Sequence, residues 1–165
     1  MSIASVLSFN TKEDVKLIDA RGPRFGALIT TLVLTAFLLS EFVPLLYWQL
    51  AIFTLGAFVG ATPYSFIDTR VVKPRLSGDV PTEDVRPPQF AQLVGFLFAL
   101  SATIGYFFGA DSLGFVIVGF ALAAAFLNAA FNFCLGCEVY LLIARAKAAV
   151  SSRKTREDSY NLPSL

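Results

Sequence analysis

Both cysteines of the chain fall in one short stretch, Asn128-Ala-Ala-Phe-Asn-Phe-Cys134-Leu-Gly-Cys137-Glu138. The C-x-x-C spacing sets two thiols one helical turn apart, near enough to close a transient disulfide or pass on sulfur. A carboxylate, Glu138, follows at once, and Cys134, Cys137 and Glu138 are the candidate catalytic residues. On an unbroken helix Cys134 lies near the C-terminal end, where the dipole disfavours a thiolate. Glu138, four residues on, adds a like charge that raises the thiol pKa further. A break near Asn132 or Gly136 reverses this, because it starts a new helix with Cys134 at its N-terminus. The charge-free run 112–137, followed by the apolar residues 139–144, is too long for one perpendicular span and favours a break or interfacial bend. Structural packing and metal binding are the other readings of the pair. A standing disulfide is not expected on a cytosolic face, where thiols are kept reduced.

Much other chemistry is excluded. With His 0 and Met 1, His- or Met-ligated haem, His-ligated zinc and Ser-His-Asp catalysis are out. Two cysteines cannot complete a four-thiolate cluster except across a dimer. No phosphate-binding or dinucleotide fingerprint occurs, so no cofactor and no metal is expected. A net charge of +1 gives no general attraction to nucleic acid.

The elements that must position the pair follow from the charges. Residues 25–40, 42–67, 87–110 and 112–137 carry none, in a chain of mean hydropathy +0.67. Long uncharged stretches read as membrane-spanning helices, since every backbone amide must be satisfied inside lipid. The expected fold is an all-α integral membrane bundle of four transmembrane helices, at about 23–42, 43–61, 88–109 and 113–135. The short turns at Ser40–Pro44 and Gly109–Ser112 make two antiparallel hairpins. Pro23 and Pro87–Pro88 suit helix starts. Residues 1–22 form an N-terminal segment, 62–87 a central loop, and 145–165 a basic tail expected to be disordered.

All 13 Lys and Arg lie in the N-terminal segment and first turn, the central loop and the tail, which four spans bring to one side. Basic residues are retained in the cytoplasm, so a multi-pass protein with both termini cytoplasmic is expected. Tyr47, Trp48 and Tyr106 then belong to an outer aromatic belt. Met1–Phe9 is too short for a secretory signal, and no lipidation signature is evident.

Small residues prepare the packing: Gly56/Gly60 and Gly105/Gly109 have GxxxG spacing, and Ala121, Ala125 and Ala129 form a smooth stripe. These join helices within one chain or, alternatively, in a homodimer. Asn128 and Asn132, four apart, are expected as buried polar groups on one face, bonding a neighbouring helix or lining a polar path. Arg21-Gly-Pro-Arg-Phe25 and Arg86-Pro-Pro-Gln-Phe90 begin two spans 65 residues apart, with Leu28 and Leu32 matching Leu93 and Leu97. Either the hairpin is duplicated in parallel, or Arg-x-Pro-x-Phe is simply a good helix start.

The blocks Asp19-Ala-Arg-Gly-Pro-Arg-Phe25, Pro74-Arg-Leu76, Arg86-Pro-Pro-Gln-Phe-Ala-Gln92 and Ala124–Glu138 resemble the DUF4395 family of small bacterial membrane proteins. The resemblance covers about residues 17–143 and implies a bacterial inner-membrane protein whose family function is unassigned. Its members look like partners of cytoplasmic thioredoxin-like or sulfurtransferase proteins. Carried over by position, the residues of interest are Cys134, Cys137 and Glu138, then Asn128, then Arg21, Arg24, Arg75 and Arg86. For the arginines the plain alternative is topology and lipid-headgroup binding. Gln89 stands where the family often has Arg.

Three functions compete: a membrane-anchored thiol or persulfide relay whose donor docks on the 62–87 loop, a non-catalytic scaffold, and a small-molecule transporter. The absence of charge inside the first three spans argues against an ion pathway. A quinone is not expected. Four-helix thiol–quinone oxidoreductases carry more than one cysteine pair and work at the outer face, whereas here the pair is single and inner.

Overall fold

The computed structural model describes residues 17–60, 62–64, 70 and 82–160, with 154–160 described by backbone alone. The elements run β1 Leu17–Asp19, α1 Arg21–Ser40, α2 Val43–Thr54, β2 Thr82–Asp84, α3 Arg86–Phe107, α4 Asp111–Phe131 and α5 Leu135–Tyr160. A π-helical turn, Leu55–Val59, extends α2.

Helices α1 and α3 begin two residues earlier than the prolines alone suggest, and for the same reason. Asp19 Oδ1 accepts the Arg21 amide at 2.9 Å, and Asp84 Oδ1 accepts the Arg86 amide at 3.0 Å. Each aspartate satisfies an amide that the first helical turn leaves without a partner. The repeat is therefore Asp-x-Arg-x-Pro-x-Phe. Strands β1 and β2 pair antiparallel, Leu17 with Asp84, Ile18 with Glu83 and Asp19 with Thr82. Because the copies are offset by 65, this register is symmetric about Ile18 and Glu83, as a local two-fold axis would make it.

The helices α1, α3 and α4 are each long and apolar enough to cross a membrane, whereas Val43–Val59 is apolar but shorter. Gly60, at φ 72°, ends the π-helical turn in the left-handed region that favours glycine. Beyond it the chain turns back along α2, since the Trp48 indole N–H donates to the Tyr64 hydroxyl at 3.1 Å. From Trp48 to Gly60 the helix rises ~18 Å, more than two aromatic side chains bridge. Trp48 therefore has a partner within the chain rather than serving only as a belt residue.

Leu34, Phe37, Leu46, Ala102 and Val118 form the buried core, with the Phe37 and Tyr106 rings edge to face at 5.5 Å. Around it Leu28, Leu32, Leu97, Phe120, Phe126 and Phe131 are exposed, large apolar side chains of the kind a membrane or a partner covers.

The expected glycine pairs divide their labour differently from a GxxxG face. A Cβ on Gly56 would come within 2.7 Å of Gln92 Oε1, and one on Gly105 would touch the Gly114 backbone at 3.5 Å. These two serve close packing inside the chain. Gly60 and Gly109, both at positive φ, end helices instead. The tail also differs from expectation. Helix α5 continues to Tyr160, through residues read from sequence as disordered, because Ala, Arg, Lys and Glu are good helix formers.

Candidate functional site

Helix α4 stops at Asn132, which takes the left-handed conformation at φ 56°. Asn is one of the few residues with a side chain that adopts it readily. Three donors close the helix end: Asn132 N–H on Asn128 O at 3.1 Å, Phe133 N–H on Leu127 O at 3.3 Å, and Arg24 Nε on Ala129 O at 3.1 Å. The guanidinium of Arg24 thus crosses from α1 to the negative end of the α4 dipole.

Helix α5 restarts at Leu135, with Cys134 in the cap position. The Cys134 carbonyl accepts the Glu138 amide at 3.0 Å, and Cys134 Sγ accepts the Cys137 amide at 3.3 Å. That second bond is the N-cap pattern with sulfur in place of oxygen. The break that would put Cys134 at a helix N-terminus is present.

Cys134 and Cys137 are joined as a disulfide, their Cα atoms 5.2 Å apart. This corrects the expectation that the pair would not stand as a disulfide. The break lets the two side chains converge over the first turn of α5, within ordinary bridging distance. Glu138 is exposed in that first turn, where the dipole favours a carboxylate.

The asparagines do not share a buried face. Asn132 is exposed and shapes the break; Asn128 is half-buried and lines a cavity. This cavity, of about 370 Å³, lies between α1, α3, α4 and the start of α5, with Cys134 in its wall. Pro23, Ala27 and Thr30 line one side, and their counterparts in the repeat, Pro88, Gln92 and Gly95, line the other. The cavity therefore sits between the two copies. Helix α5 helps close it by packing on α3, where a Cβ on Gly136 would come within 2.7 Å of Ala91.

The arginines separate. Arg21 opens α1, Arg24 closes α4, and Arg75 lies outside the described residues. Arg86 is 2% exposed, so it does not face lipid headgroups. Its Nε lies 3.7 Å from Asp84 Oδ2, and Tyr140 of α5 bonds to it. Burial pushes the Tyr140 phenol above its ordinary range, with the charge of Arg86 opposing the shift.

Sequence reasoning missed Gln92 and Tyr140, and noted Gln89 only as a departure from the family's usual Arg. Gln89 donates to Ala57 O at 2.9 Å and ties α3 to the middle of the π-helical turn. Gln92 Oε1 is buried with no hydrogen-bond partner among the described residues. Two amides at the start of an otherwise apolar run were the available signal. Among the described residues no group of three His, Cys, Asp or Glu gathers to hold a metal.

These features define a helical protein with spans that could cross a membrane and a cysteine pair at a helix break. Residues 18–145 match the family described as Domain of unknown function (DUF4395), and the chain belongs to it. No curated protein and no solved structure matches the chain.

Proposed function

We propose that this protein is a membrane-embedded thiol–disulfide relay. The observation that carries the reading is the joined Cys134–Cys137 pair capping the N-terminus of α5. Attack of a partner's thiolate on the disulfide forms a mixed disulfide and releases one cysteine as thiolate. The partner's second thiol then displaces the remaining cysteine, leaving the partner oxidised and the pair as a dithiol. Once released, a Cys134 thiolate is supported by the Cys137 amide and the helix dipole. The sulfur-transfer form uses the same groups. A persulfide on Cys134, attacked by Cys137, closes the disulfide and expels hydrosulfide.

The membrane arrangement belongs to this reading. Helices α1, α3 and α4 cross, the shorter α2 completes a fourth crossing, and the basic segments place both termini in the cytoplasm. The partner is a cytoplasmic thioredoxin-like or sulfurtransferase protein meeting the chain where α5 starts.

Mass-shift alkylation in intact cells, with and without oxidant or thiosulfate, tests the relay. Cys134 and Cys137 are expected to move together between free and blocked states, and Cys137→Ser to trap a mixed disulfide. Thiols that stay uniformly free or uniformly blocked would sink the proposal. Partner co-purification unchanged in a Cys134→Ser/Cys137→Ser protein would favour a scaffold.

A further inference from the structure

We propose that the cavity beside the disulfide binds a lipid-soluble quinone, which takes two electrons from the Cys134/Cys137 dithiol. The inference rests on the relay reading and names the electron acceptor of that same site. Cys134 forms part of the cavity wall, so one residue of the pair borders the space. The lining runs from Pro23 to Thr30 on α1 and from Pro88 to Phe98 on α3, so the space penetrates ~10–15 Å into the apolar bundle. Its volume of about 370 Å³ falls within the range of small-molecule sites.

The walls choose among oxidants. Phe53, Phe98, Phe120 and a series of alanines offer nothing to a charged disulfide such as oxidised glutathione. An acyl chain would fill the space but leave Gln92 Oε1 without a polar partner. A quinone supplies an apolar ring with carbonyl oxygens. The Gln92 amide donates to a quinone carbonyl and accepts from a quinol hydroxyl, so it serves both redox forms. The sequence places the pair at the inner face, away from where thiol–quinone oxidoreductases work, but the apolar cavity lined by Cys134 gives a lipid-soluble oxidant access from within the bundle. A single pair suffices when the second pair is the partner's.

The step balances. The two thiols lose two protons and two electrons as the S–S bond forms. The quinone gains both and becomes the quinol. Exchange with a partner dithiol regenerates the pair and leaves the partner as a disulfide.

The test uses the full chain in phosphatidylcholine nanodiscs, reduced, freed of reductant without oxygen, and mixed with a ubiquinone carrying one isoprene unit. One quinol is expected per pair of thiols lost. Ala124→Phe and Ala125→Leu, which fill the cavity, are expected to slow this at least tenfold while oxidised glutathione still closes the pair at the original rate. An unchanged quinone rate in both variants overturns the proposal. If glutathione closes the wild-type pair and the quinone does not, the quinone fails and the relay survives. If neither reacts, the relay fails with it. An azido-quinone photolabel on the wild-type protein gives a reading independent of the variants. Adducts on residues 120–128 support the site, and adducts confined elsewhere overturn it.

Discussion

The two copies of Asp-x-Arg-x-Pro-x-Phe start their helices in the same way and then live in different surroundings. In the first, Arg24 reaches out of α1 to the exposed end of α4 at 3.1 Å. In the second, the equivalent Gln89 is buried and holds Ala57 O at 2.9 Å, while Arg86 is covered by Tyr140. The local hydrogen bonds are set by the repeat, but burial is set by α5, which packs on α3. Two copies of one motif can thus build a symmetric frame and still differ in burial. The cavity lies on the near-symmetric seam, and the disulfide is added from outside the repeat.

The two copies are expected to differ most at their arginines. Arg86→Ala removes a buried guanidinium that bonds Tyr140 and lies beside the partly exposed Asp84, and is expected to cost about 2 kcal/mol. Arg21→Ala, at the matching position in a half-buried setting, should cost about 1 kcal/mol or less. Thermal unfolding followed by size-exclusion in detergent measures both. Equal losses would show that the two copies have equivalent surroundings after all.

A middle-sized effect is expected at Asn132, which ends α4 much as Gly60 ends the first hairpin. Asn132→Ala forces an ordinary side chain into the left-handed region at about 1 kcal/mol, whereas Asn132→Gly should match or exceed the original stability. If the break positions Cys134, the alanine variant's reduced thiols will also react more slowly with iodoacetamide. Unchanged rates would separate the break from thiol reactivity.

The smallest effect sits at the centre of the ribbon, where Ile18 faces Glu83. Partial burial, and then the like charge of Asp19, push the Glu83 carboxyl above the usual carboxylate range. The folded state therefore binds this proton more tightly than the unfolded one, and stability falls as pH rises from the ordinary carboxylate pKa through the raised one. Glu83→Gln should unfold at a slightly higher temperature near neutral pH. That advantage should vanish below the carboxylate range, and a melting-temperature series in pH checks it.

Some of this was legible without coordinates. The charge-free runs located α1 to α4 but not α5, and Arg-x-Pro-x-Phe marked two helix starts to within two residues. The discrepancy came from Asp19 and Asp84, whose caps act before the prolines. The break at Asn132 was foreseeable because the charge-free run and its apolar continuation exceed one span. Arg86 was misread as a headgroup ligand, since a basic residue at an apolar boundary looks the same in sequence whether or not another helix covers it. The Asn128/Asn132 face failed because the second asparagine ends the helix that the spacing assumed.

The sequence by itself determined the apolar character of α1, α3 and α4, the Arg-x-Pro-x-Phe repeat and the identity of the one cysteine pair. Those properties depend on local composition and short spacings. Only the tertiary structure decided that α5 covers Arg86, that Arg24 closes α4 from 105 residues away, and that Cys134 borders a cavity between the repeats. Each depends on which helix faces which, and that is set by side chains meeting across the bundle, which no local pattern encodes.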